Sequence, residues 1–170
     1  MSRVLLLRHG KSDWDAPYSG DHDRPLSPRG VKASRLMGEF LSGADLEPDR
    51  VLTSSAVRAR RTAELAAEAG SWAAPVLPVP ALYHASPDSV FRLLQDLEDT
   101  VETVLLAGHE PTMSEMVKVL TGGGHYRYPT AAVANIEVMA SSWSEVVPGT
   151  GRLVWLVTPK LVAKGFEARG

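Results

Sequence analysis

Three short apolar runs in this chain each end in a motif that carries histidine or arginine. Val4-Leu5-Leu6-Leu7 runs into Arg8-His9-Gly10-Lys11-Ser12. Val51-Leu52 leads to Ser54-Ser55-Ala56-Val57-Arg58-Ala59, and Val104-Leu105-Leu106-Ala107 runs into Gly108-His109-Glu110-Pro111. Such runs read as short buried strands. Open α/β sheets gather ligand sites at the carboxyl ends of their parallel strands. Three strand ends can therefore bring two histidines and two arginines into one cavity. That cavity suits a phosphoryl group, and one of the histidines can attack it.

The segments between the runs support an α/β order. Residues 3–8 read as a strand, and residues 13–27, with Asp, Pro, Gly and Ser, as a long loop. Ser27-Pro28 looks like an N-cap followed by proline at the first helical position, opening a helix over about 28–42. A strand over 50–53 precedes an Ala-rich helix from Arg58 that stops at Gly70. Residues 76–79 read as a further strand. Ser86-Pro87 starts a helix with Val90, Leu93, Leu94 and Leu97 on one face. A strand over 103–107 leads to a helix from Pro111 to about Leu120, broken by Gly122-Gly123-Gly124. Ala132–Met139 and Leu153–Val157 read as an antiparallel pair, and the tail from Lys160 to Gly170 reads as frayed.

At 170 residues the chain is long enough for one domain with one core. A formal net charge of −2 gives the whole molecule no basic footprint for nucleic acid. The absence of cysteine excludes disulfides, thiolate chemistry and a Cys-based zinc site. No apolar stretch approaches the roughly 18 residues that span a membrane, and the N-terminus enters a strand without the apolar segment of a signal peptide. The expectation is a cytoplasmic protein with no membrane partner.

Taken singly, each motif is weak. Together, His9 and His109 both follow strands, Gly10 and Gly108 flank them, and Arg58 opens a helix after a third strand. The chain here resembles the histidine phosphatase superfamily, the phosphoglycerate mutase-like fold. The segment from Arg8 to Trp14, followed by Asp21-His22-Asp23-Arg24-Pro25-Leu26-Ser27-Pro28-Arg29-Gly30, is similar to the small SixA-type phosphohistidine phosphatases. The likeness continues through Ser54–Ala63, Leu82-Tyr83-His84-Ala85 and Gly108–Thr112, and so covers about residues 3–120.

The resemblance implies a three-layer α/β sandwich, with a mostly parallel central sheet and helices on both faces. It also implies a single domain over 1–170 with a minimal cap. His9 is implied as nucleophile, forming a phosphohistidine intermediate, while Arg8, Arg58 and His109 hold the phosphoryl oxygens. Physical chemistry agrees, because phosphoryl transfer relies mostly on positioning and on stabilising charge spread over three oxygens. Arginine forks match those oxygens. Cations beside His9 should depress its pKa and keep it neutral and nucleophilic. Its other ring nitrogen is expected to donate to a carbonyl, with Gly10 the candidate. Ser12 and Arg24 are further candidates for substrate contact. Lys11 either adds positive charge at the mouth or is simply exposed. Asp15 stands where larger relatives often carry an asparagine on the phosphate, and a carboxylate would repel that group. Arg60 and Arg61 read as solvated, and His22 and His125 as surface residues.

Many superfamily members place an acidic proton donor before the second histidine strand. Here that neighbourhood reads Leu82-Tyr83-His84-Ala85-Ser86-Pro87-Asp88. Either His84 is the donor, with Glu110 and Asp88 weaker substitutes, or the donor is missing. An alkoxide leaving group needs a general acid, whereas a phosphorylated imidazole can leave neutral when its distal nitrogen already carries a proton. A missing acid therefore favours a phosphoramidate. Only 51 positions separate Arg58 from His109, which leaves little chain for a lid.

The leading expectation is a metal-independent, cofactor-free phosphatase acting on protein phosphohistidine, with a histidine-containing phosphotransfer domain as one candidate partner. The alternatives are a phosphatase for small phosphate esters and a non-catalytic phosphate-binding module. A metal hydrolase using His9 and His109 is disfavoured, since no clustered carboxylate has ligand spacing and two arginines would repel a cation.

Overall fold

A computed structural model describes residues 1–167. Six strands form one sheet in the order β3-β2-β4-β1-β5-β6. They are β1 (Arg3–Arg8), β2 (Arg50–Ser54), β3 (Val76–Val79), β4 (Thr103–Gly108), β5 (Val133–Val138) and β6 (Gly151–Val157). The first four are mutually parallel, and β5 runs antiparallel to both β1 and β6. Five α-helices cover the sheet: α1 (Pro28–Gly43), α2 (Val57–Gly70), α3 (Pro87–Gln95), α4 (Thr112–Thr121) and α5 (Pro159–Glu167). This is the expected α/β architecture with a mostly parallel sheet.

Strand β1 shows why the sheet is buried on both faces. Val4 and Leu6 join the core under α3 and α4, while Leu5 and Leu7 join the core under α1, α2 and α5. All four are fully buried. A strand covered on both sides reads as a continuous apolar run because its alternate side chains feed two cores.

Local signals set most boundaries. Ser27 accepts the backbone N–H of Gly30, and Ser86 accepts that of Ser89, so both Ser-Pro pairs are helix N-caps. Pro111 stands at the N-cap of α4, so the helix begins at Thr112, one residue after the expected start, and Gly122 closes it with φ 83. The loop over 13–27 contains a single 3-10 turn, Asp21–Asp23, and is pinned by a bridge between Ser12 and Leu26.

Three local readings change. Helix α2 continues through Gly70, and the left-handed residue is Ser71 with φ 56. Leu97 lies beyond the end of α3, whose buried face is Val90, Phe91 and Leu94. The expected fraying from Lys160 onward is corrected by α5, which packs against α1 and buries Val162. Residues 168–170 lie outside the described residues. Among the described residues, no helix is long and apolar enough to cross a membrane.

One close approach ties the loop after β1 to α1. A Cβ at Gly30 would lie 2.1 Å from the Lys11 carbonyl oxygen, so only glycine lets the first turn of α1 press against this loop.

Candidate active site

The strand order places the ends of β2, β4 and β1 side by side. His9, the first residue after β1, is fixed by its backbone on both sides. Its N–H donates to the Gly108 carbonyl at 2.9 Å, and its own carbonyl accepts from Ala131 N–H at 3.0 Å. Its Nδ1 lies 2.7 Å from the Gly10 carbonyl oxygen. A carbonyl only accepts, so Nδ1 carries the hydrogen and Nε2 keeps its lone pair. Gly10 N–H in turn donates to Thr62 Oγ1, whose hydroxyl donates to the Arg58 carbonyl. The histidine loop and the arginine helix are thereby joined.

Arg58 and Arg24 are each only 5% exposed, and both converge on Asp21. Arg58 donates to the Asp21 backbone oxygen at 2.7 Å and to its Oδ2 at 3.0 Å. Arg24 donates to Asp21 Oδ1 at 3.0 Å, with its guanidinium stacked 3.5 Å from the centroid of the Trp14 ring. Tyr83 donates its phenolic hydrogen to Asp21 Oδ2 at 2.7 Å. Arg8 donates to the Tyr128 carbonyl at 2.8 Å.

His109 completes the ring, its centroid 5.2 Å from that of His9 and 5.6 Å from that of Tyr83. Its Nε2 lies 2.8 Å from Ser54 Oγ. Ser54 Oγ already accepts from Ala56 N–H at 3.2 Å. The assignment that leaves the Ser54 hydroxyl satisfied has its O–H donating to Nε2. His109 then carries its hydrogen on Nδ1, which is buried without a protein partner. Nε of Arg8, Arg24 and Arg58 share that condition. Buried donors without partners are rare in native proteins and call for an acceptor.

The electrostatics keep both histidines neutral. The pKa of His9 is lowered to about 4, first by burial and then by Arg58, Arg8 and Arg24, against the opposing hydrogen bond to Gly10. The cations act as expected, but burial is the larger cause. His109 is lowered to about 3, by burial first and then by His9 and Arg58. Asp21 is held below the ordinary carboxylate range, above all by the Tyr83 hydrogen bond and also by Arg58. Burial outweighs Glu110 in lowering Arg8.

The expected residues do not all converge. His9, Arg8, Arg58 and His109 meet at the carboxyl ends of the central strands, with Arg24 buried beside them and joined to Arg58 through Asp21. Ser12 is buried in the bridge to Leu26. His84 is exposed, adopts φ 58, and stacks on Tyr83 with ring centroids 4.0 Å apart, at the mouth. Glu110 is engaged, accepting from Ser114 N–H and Oγ at 2.8 Å each. Arg60 and Arg61 pair with Glu64 in solvent. His22 is only partly exposed and reaches Ser55 Oγ at 3.0 Å.

Sequence reasoning missed Asp21, Ser54, Thr62 and Tyr83. All four lie inside the motif segments, but their site partners lie 37 to 62 positions away. Only the Asp21–Arg24 pair, three positions apart, had a local signal. Among the described residues, no group of three His, Cys, Asp or Glu is placed to hold a metal ion.

Comparison with known proteins adds independent findings. A family profile described as histidine phosphatase superfamily (branch 1) matches residues 4–83. An uncharacterized protein of Mycobacterium tuberculosis strain H37Rv is 35% identical over 164 residues, covering 91% of this chain and 100% of its own. Phosphohistidine phosphatase SixA of Escherichia coli strain K12 is 30% identical over 160 residues, covering 92% of this chain and 94% of its own. The solved structure of the protein histidine phosphatase SixA complexed with tungstate superimposes with a TM-score of 0.82 at 29% identity. That match covers 94% of this chain and 99% of the other.

Proposed function

The chain belongs to the histidine phosphatase superfamily, and from that premise we propose that it hydrolyses phosphohistidine on proteins through a covalent intermediate on His9. Its SixA-like matches support a phosphatase. One observation carries the finer reading: among the groups converging on His9, no carboxyl is placed to act as an acid. Asp21 is held ionised by Tyr83 and Arg58, and Glu110 is engaged with Ser114. A site without a ready proton suits a leaving group that needs none.

In the first step the Nε2 lone pair of His9 attacks phosphorus. The substrate P–N bond breaks, and its electron pair returns to the departing imidazole, which leaves neutral with its proton on the distal nitrogen. His9 becomes an N-phosphoryl imidazolium, its Nδ1–H still held by Gly10 O. Water then attacks phosphorus and the P–Nε2 bond breaks. The pair returns to Nε2, and the water proton leaves with phosphate or solvent. Arg8, Arg58 and the Nδ1–H of His109 stabilise the charge on the three equatorial oxygens. Arg24 supports Asp21, and Ser12 holds the loop after β1 through its bridge to Leu26.

We read residues 1–170 as one domain with a minimal cap, since only a 3-10 turn at Pro80–Leu82 and α3 lie between β3 and β4. An open mouth admits a phosphorylated protein, with a histidine-containing phosphotransfer domain as a candidate partner in the cytoplasm. A small-ester phosphatase is the second reading. His84 favours it, because its exposed ring, packed on Tyr83, is a candidate proton donor.

The test is a rate comparison of wild type, His9→Ala and His84→Gln on a phosphohistidine protein and a panel of alkyl phosphates, without added metal. Strong His9-dependent turnover of the phosphoprotein, unaffected by His84→Gln, is expected. A preference for alkyl phosphates that His84→Gln abolishes would replace this reading with the second. Activity on neither would leave a phosphate-binding module.

A further inference from the structure

A second feature lies at the same end of the sheet, on the opposite side of His9 from Arg58. Because β5 is antiparallel, its first residue, Val133, lies beside Leu7 of β1 and beside Val157, the last residue of β6. The segments entering β5 and leaving β6 therefore flank the loop after β1. They enclose a cavity of about 560 Å³ lined by Lys11, Arg29, Arg127 and Lys160, with Thr130 and Thr158 between them.

Among the described residues, no carboxylate lines this cavity. Its four cations take no part in the ion pairs found among the described residues. The chain as a whole has more acidic than basic residues, 20 against 18, so composition does not explain the cluster. Two of the cations also sit against the local preference. Arg29 and Lys160 lie in the first turns of α1 and α5, where the helix dipole disfavours positive charge, and neither turn holds an acid. An anion in the cavity would relieve both the dipole conflict and the mutual repulsion.

The cavity is close to the phosphoryl pocket. Lys11 is two residues beyond His9, so their Cα atoms are within about 7 Å. Arg127 immediately precedes Tyr128, whose carbonyl holds Arg8. We propose that this cavity docks a carboxylate-rich segment of the phosphorylated protein, a proposal that rests on the phosphohistidine reading. A protein segment fits better than a small polyanion. Small-ligand sites fix their ligand with a few polar groups placed in a concave, largely buried pocket, whereas all four cations here are exposed. Long exposed cations at an open rim suit complementary charge between protein surfaces, which speeds encounter and selects partners.

The test uses the double variant Arg29→Glu/Arg127→Glu, with circular dichroism to confirm its fold. Neither residue belongs to the phosphoryl pocket. For an acidic phosphohistidine protein at low salt, kcat/KM should fall about tenfold or more, with the deficit shrinking as salt screens the contact. Turnover of free phosphoramidate should be unchanged. An unchanged rate on the protein, or an equal fall on both substrates, overturns the proposal. A second arm needs no activity: wild type is titrated with an unphosphorylated glutamate-rich peptide and, separately, with pyrophosphate. Peptide binding that the double variant loses supports the docking site, even if wild type turns over no phosphohistidine protein and the functional reading fails. Absence of peptide binding, with or without pyrophosphate binding, overturns it.

Discussion

Ser54, the last residue of β2, and His109, the first after β4, share a 2.8 Å hydrogen bond across 55 positions of sequence. With the Ser54 hydroxyl donating to His109 Nε2, the serine's one donor is satisfied and the imidazole hydrogen sits on Nδ1, which is buried without a protein partner. Ser54→Ala removes this lock. A neutral hydrogen bond is worth about 1 kcal/mol, so kcat should drop roughly fivefold with little change in KM. Nitrogen-15 NMR should show the His109 ring moving from one tautomer to a mixture. Unchanged kcat together with a single Nδ1–H tautomer would show that another group orients the ring.

Acid should remove activity and stability together. His9 titrates at about 4, so kcat/KM should rise through about pH 4 and then stay level toward neutrality as the imidazole becomes neutral. For stability the sign follows from proton uptake. The unfolded chain protonates His9 and His109 near pH 6.5, whereas the folded chain holds them neutral down to about 4 and about 3. Folding stability is thus intact above about pH 6.5 and is lost as pH falls toward 4. Urea midpoints at several pH values test this, and His9→Gln should flatten the dependence. A wild-type midpoint that does not move between neutral pH and about pH 4.5 would contradict the depressed values.

Asp21 holds a negative charge against Arg58, where a phosphoryl group would carry its own. Asp21→Asn keeps the shape and removes the charge. Inorganic phosphate or vanadate should then inhibit about threefold more tightly, a modest gain because the Asp21 side chain is 49% exposed and solvent screens it. Weaker inhibition would mean that Asp21 matters chiefly by aiming Arg58.

Gly38 lies in the middle of α1, where alanine is ordinarily the better helix former. Here a Cβ would stand 2.1 Å from the Ala66 carbonyl oxygen of α2. Gly38→Ala should therefore destabilise by about 2 kcal/mol or more by forcing the two helices apart. Denaturant unfolding measures it, and a neutral or stabilising outcome would show that the helices separate freely. Because α2 carries Arg58, activity should fall as well.

The features legible in the chain itself are local. The apolar runs marked β1, β2 and β4, the Ser-Pro pairs marked the starts of α1 and α3, and the residues after each strand marked His9, Arg58 and His109. Each signal acts within a few positions, through side-chain alternation or a cap bonding its own helix, so it is legible without knowledge of the fold. Tertiary structure decided what those residues meet. The order β2-β4-β1 brings Ser54 to His109 and Thr62 to Gly10, and the folded loop sets Asp21 against Arg58. The antiparallel entry of β5 and the docking of α5 assemble the four cations of the second cavity. Burial, the largest cause of the low pKa of His9, arises only once every layer is in place. No periodicity or cap encodes these contacts, because they depend on which strands become neighbours and how closely helices approach.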